Sequence, residues 1–153
     1  MIIKMKRQEG ITLIALVITI IIVGMIIIVG VQYAKEYINN QEIEDIKSSM
    51  LVIQGVITNI GNKHEIDEEN NTLLGAKLEL ENNETGYNIS EELKSILEGM
   101  ENANLYILNQ EELNNIGVKD VEINNSKFYI VDYNSGEVFY SLGINGKYKL
   151  SEI

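Results

Sequence analysis

Apolar and polar positions divide the chain into three regimes. From residue 11 to residue 31 every position is aliphatic, threonine, glycine, alanine or methionine, and none is charged. At a helical rise of about 1.5 Å per residue such a run measures roughly 31 Å, the thickness of a bilayer core. A helix that is apolar on every side needs lipid or a large protein around it, and the rest of the chain is too small to supply the latter. The pattern predicts a membrane-spanning helix over residues 11–31. Thr12 and Thr19 are compatible with it, because their hydroxyls can bond to carbonyls one turn back.

Beyond the run the period changes. Ile43, Ile46, Met50, Ile53, Ile57 and Ile60 recur at spacings of three and four, with Gln41, Glu42, Glu44, Asp45, Lys47 and Ser48 between them. That is one apolar stripe on a helix with polar flanks. No proline interrupts it, and Gly61-Asn62 reads as a stop signal. The economical prediction is one helix from about residue 9 to 60, with residues 32–61 as its amphipathic continuation. Gly24, Gly30 and Asn39-Asn40 are the places where it could bend. The stripe covers either the chain's own domain, the commoner outcome, or a short coiled-coil seam.

Residues 62–153 form the third regime. The stretch 73–80 fits a short helix or a strand. Ser90, followed by Glu91 and Glu92, predicts a capped helix to about Gly99. Asn109 with Glu112 fits a capping box that opens a short helix ending at Gly117. Residues 128–133 and 138–142 alternate around Asn134-Ser135-Gly136, which predicts a hairpin, and Asn145-Gly146 predicts a type I′ turn before residues 147–150. Three or four antiparallel strands result, and the apolar stripe of the long helix is the surface they would cover. The predicted fold class is α+β: a long N-terminal helix, membrane-spanning in its first half, packed by a small antiparallel β-meander domain with short helices.

Charge orients this arrangement. Lys4, Lys6 and Arg7 precede the apolar run and only Glu9 opposes them, whereas the 153-residue chain as a whole carries a formal charge of −11. A short basic leader stays in the cytoplasm, which predicts residues 62–153 as an extracellular α+β domain. No arginine follows Arg7, so direct binding of double-stranded nucleic acid is not expected. With no cysteine the domain has no disulfides and holds together by packing alone. Abundant Ile, Asn, Lys and Glu hint at a low-GC bacterium.

Candidate chemistry is sparse. His64 is the sole histidine, without cysteine, and reads as a solvated loop residue. Glu65, Asp67, Glu68, Glu69 and Asn70 offer oxygens for calcium, but their spacing matches no EF-hand and a charge run is usually a solvated face. Sequons beginning at Asn70, Asn83, Asn88 and Asn124 carry little meaning in so Asn-rich a chain. Neither a phosphate loop nor a nucleophile–base pair is present, so no catalytic residue, cofactor or metal site is predicted and the chain reads as non-enzymatic. Tyr129, Tyr133, Tyr140 and Tyr148 read as sheet packing rather than a ligand platform.

One motif remains. Arg7-Gln8-Glu9-Gly10 followed by Ile11-Thr12-Leu13-Ile14-Ala15-Leu16-Val17-Ile18 resembles the leader and first turns of type IV pilins and pseudopilins, over about residues 7–31. The later sequence is similar in style to pilin-like proteins of low-GC Gram-positive bacteria, which often carry a Ser/Thr-Gly-Glu turn between two strands. The resemblance implies a leader peptide of residues 1–10, cut after Gly10 by a prepilin peptidase, with methylation of the new Ile11 amine. It makes residues 11–31 a transmembrane and polymerisation helix. The implied partners are membrane lipid, the peptidase, other pilin-like subunits and assembly machinery of a type IV pilus, competence or type II secretion-like system. The implied location is the cytoplasmic membrane, N-terminus inside, and a surface filament after processing.

Two positions depart from the family. Ala15 stands where most members have a glutamate thought to pair with a neighbour's N-terminal amine, which removes a specific assembly contact. Gln32 stands where many pilins have a proline, so no kink is implied there. Minor pseudopilins at filament tips can lack the glutamate. The alternative function is a single-pass, membrane-anchored extracellular binding domain that does not polymerise.

Overall fold

The computed structural model describes residues 12–25 and 40–153 in full, and residues 2–11 and 26–39 only as part of the first helix, α1 (Ile2–Ile66). The chain divides into two compact units, Met1–Glu42 and Ile43–Ile153. The last turns of α1 therefore belong to the same unit as the strands.

In that second unit the order is the end of α1, β1 (Ala76–Lys77), α2 (Glu91–Glu98), β2 (Leu105–Ile107), α3 (Gln110–Asn115), β3 (Tyr129–Asp132), β4 (Glu137–Ile144), β5 (Lys147–Lys149) and a 3-10 turn, Leu150–Glu152. The strands form one antiparallel sheet in the order β1-β2-β3-β4-β5. Every strand pairs with its neighbour in sequence, so the sheet closes through connections that never cross.

Alternation along the strands decides which face each side chain meets. Tyr129, Val131, Val138 and Tyr140 share a core with Ile46, Met50, Ile53 and Ile57 of α1, together with Leu113 of α3. The intervening Ile130 and Phe139, with Phe128, Leu105 and Ile107, pack with Leu93 and Leu97 of α2 on the other face. All four residues of β3 are buried, as a central strand covered on both faces must be. Three layers result: the end of α1, the sheet, and α2.

Local signals set the element ends. The Ser90 Oγ accepts from the Leu93 N–H at 3.2 Å, and Gly99 caps α2 at its other end. Asn109 and Glu112 form a reciprocal capping box at α3, with bonds of 2.9 and 2.8 Å. Asn145 and Gly146 both have positive φ, 51° and 75°, the mark of a type I′ turn.

Three expectations are corrected. Among the described residues no helix is long and apolar enough to cross a membrane. Of the expected span, residues 11–31, only residues 12–25 lie within the fully described part of α1. The fold is an α+β unit with five antiparallel strands, not three or four, and the expected membrane-spanning helix is not found among the described residues. Third, α1 passes through Gly61-Asn62 and ends at Ile66. A helical glycine costs only about 1 kcal/mol relative to alanine, and a Cβ at Gly61 would only touch the Tyr133 ring, at 3.4 Å. The chain turns away at Asn71, whose side-chain amide donates to the Lys63 and Asp67 carbonyls at 3.3 and 3.0 Å, beside the backbone bonds those carbonyls accept from the Asp67 and Asn71 N–H.

Ile53 is fully buried between α1 and the sheet. Ile53→Ala is expected to destabilise the second unit by about 2–5 kcal/mol, read as a lower urea midpoint by tyrosine fluorescence. Leu51→Ser, on the exposed side of the same helix, should change it by no more than about 0.5 kcal/mol.

Candidate functional site

The processing residues inferred from the motif, Gly10 and Ile11, lie outside the fully described residues, as do Gly30 and Gln32. Ala15 is described. Its carbonyl accepts from the Thr19 Oγ at 2.8 Å, the back-bond that lets a threonine sit in an apolar helix. The large apolar side chains of residues 13–25 are between 47 % (Val17) and 64 % (Leu13) exposed. Gly24 has open space where a Cβ would be. The chemistry of this segment is contact area, without a titratable group at position 15 to select a charged partner.

A second constellation lies at the β3–β4 turn. Asp132 is buried, and its carboxylate accepts from the Asn104 N–H at 2.8 Å, the Asn134 N–H at 3.1 Å and the Ser135 Oγ at 2.6 Å. Gly136 has φ +73°, and its carbonyl accepts from the Gln54 amide of α1 at 3.0 Å. Glu137 accepts from both the N–H and the hydroxyl of Ser151, at 3.2 and 2.6 Å. Ser135, Gly136 and Glu137 each have a packing role: together they tie the hairpin to α1 and to the C-terminal turn. A paired carboxylate in this place is a staple, not an acid–base couple.

Tyr133 adds a further staple. Its hydroxyl donates to the Leu74 carbonyl at 2.7 Å and accepts from the Leu74 N–H at 2.9 Å, while its ring meets Tyr106 edge-on. Burial pushes its pKa up to about 12; the Leu74 N–H opposes the shift, and Tyr106 and Glu112 add to it. Tyr129 is also raised, chiefly by burial, and its hydroxyl has no hydrogen-bond partner among the described residues. The nearby Ser49 hydroxyl favours its phenolate but is committed as donor to the Asp45 carbonyl. Tyr140 and Tyr148 are buried on opposite faces of the sheet, Tyr148 donating to Glu92 at 3.0 Å.

The acidic run after α1 is a turn. Asp67 accepts from the Asn70 side chain at 2.6 Å, and that bond holds its carboxyl below the ordinary value. Among the described residues no three His, Asp or Glu side chains converge on a metal-sized point. His64 is not a solvated loop residue: it lies in the last turn of α1, half-buried, with Nδ1 at 2.5 Å from the Asn71 carbonyl. The same Asn71 at which the chain turns away gives the ring its partner.

Two grooves flank β1. One, of about 390 Å³, is lined by Leu78, Leu80, Leu97 and Met100 with Glu79, Glu81 and Glu98. The other, of about 360 Å³, holds Lys77, Glu79, Asn82, Glu84 and Thr85. Neither brings a nucleophile against a base. The alternation Leu78-Glu79-Leu80-Glu81 is the sequence signal that marks the first groove, obscured by the ambiguity of residues 73–80. Compared with known proteins, the chain matches no family model, no curated protein and no solved structure.

Tyr133 gives a pH prediction. A group that holds its proton more tightly when folded contributes stability that is complete below its unfolded pKa, here 10.0, and lost as pH rises through about 12. Stability should therefore fall across that window. Tyr133→Phe should be about 1–2 kcal/mol less stable at neutral pH, from the lost hydrogen bonds, yet fall less steeply. Urea midpoints of both proteins against pH check this; equal alkaline slopes would contradict it.

Proposed function

We propose that the chain is a structural subunit, pilin-like or a pseudopilin, processed after Gly10 by a prepilin peptidase and assembled into a type IV pilus, competence or type II secretion-like machine. The observation that carries the reading is the run of half-exposed aliphatic side chains over residues 13–25, directly after the Arg7-Gln8-Glu9-Gly10 motif. Burying such side chains stabilises an assembly by about 1.5–3 kcal/mol each when they leave water. In lipid that drive vanishes, and close helix packing at small residues such as Gly24 takes its place.

The processing step follows from the same physics. Lys4, Lys6 and Arg7 are incompatible with a packed apolar filament core, so the leader comes off before assembly. Maturation takes place at the cytoplasmic membrane, with the unit Ile43–Ile153 on the outer side. Ala15 leaves the new Ile11 amine without the carboxylate partner that a major pilin supplies, which favours a minor or tip position.

Mass spectrometry of the protein made with and without a prepilin peptidase tests this. The expected product is a chain beginning at a methylated Ile11, formed only with the peptidase. Gly10→Val should abolish maturation. An intact Met1 beside an active peptidase, or normal maturation of the Gly10→Val protein, would sink the reading.

A further inference from the structure

We propose that the larger groove beside β1 is a docking site for a lysine- or arginine-bearing segment of a partner protein, independently of how the N-terminus is processed. Its floor is aliphatic, made by Leu78, Leu80, Leu97 and Met100, and its rim carries Glu79, Glu81 and Glu98. Among the described residues neither Glu79 nor Glu81 makes an ion pair or a side-chain hydrogen bond. Glu98 has only the partly exposed Lys94 at 3.9 Å, a surface pair of little energetic weight.

Glu98 also ends α2, and no basic residue occupies the last turn of that helix. The negative end of the helix dipole therefore adds to the carboxylates instead of being neutralised from within. Together they create a negative field over an apolar surface.

A cation with an aliphatic stem answers both features. Lysine and arginine lay their methylenes along apolar surface and keep the charged head at its edge. A bare metal ion would meet no oxygen on the aliphatic floor, whereas a peptide also brings neighbouring apolar side chains to cover Leu80 and Met100. The volume of about 390 Å³ suits one such side chain with its flanks.

The test uses the full-length chain, 15N-labelled in neutral detergent, titrated with the blocked peptide Gly-Leu-Arg-Leu-Gly. A control peptide carries uncharged citrulline in place of arginine, and spermidine serves as a free polycation. Amide shifts should be confined to residues 78–81 and 97–100, weaken with salt, and need about fivefold more of the citrulline peptide. The Glu79→Gln/Glu81→Gln protein, changed only at exposed positions, should lose affinity to a similar degree while keeping its core tyrosine spectrum. Shifts elsewhere, no shifts at millimolar peptide, equal binding of the citrulline peptide, or equal effects from spermidine would each overturn the proposal.

Discussion

Ile46, Met50, Ile53 and Ile57 of α1 lie in one core with Tyr129, Val131, Val138 and Tyr140, and the rest of the C-terminal unit depends on that contact. A short-stranded sheet cannot stand in water with both faces bare. α2 is too small to supply a second layer alone, at eight residues with two buried leucines. The stripe on α1 covers one face, which lets α2 cover the other. The turn at Asp132–Glu137 then fixes the hairpin against the same helix through Gln54. Without cysteine, packing and these staples are the means by which the unit is held.

Much of this was legible in residue order. The spacing from Ile43 to Ile57 predicts a stripe, Ser90 and the Asn109–Glu112 pair predict helix starts, and Asn145-Gly146 predicts its turn. Each rests on a local rule that tertiary context did not overrule. The failures have tertiary causes. β1 and β2 hold two and three residues, too short for a period to show; β2 forms on the edge that β3 offers, and β1 on the edge of β2. Gly61-Asn62 failed as a stop because propensity is a weak signal, and the chain turns away only at Asn71. His64 looked solvated because its partner, Asn71, approaches only once the chain turns back.

Function divides differently. The N-terminal motif, Arg7-Gln8-Glu9-Gly10 before an apolar run, is linear and can be read from residue order alone. The groove at Leu78–Glu81 depends on α2 folding beside an extended segment, so it is written in two places that only the fold brings together. Under the two proposals, Ala15 leaves the assembly segment without a carboxylate, and Glu79 and Glu81 of the C-terminal unit supply charge that selects a partner.

The end of α1 is an integral layer of the C-terminal unit rather than a stalk leading to it. Native-state hydrogen exchange measures this directly. Amides of residues 46–57 should open together with those of β3, with one free energy and one denaturant dependence, as a single cooperative unit does. Exchange from residues 46–57 at a distinctly lower opening free energy than from β3 would contradict the account.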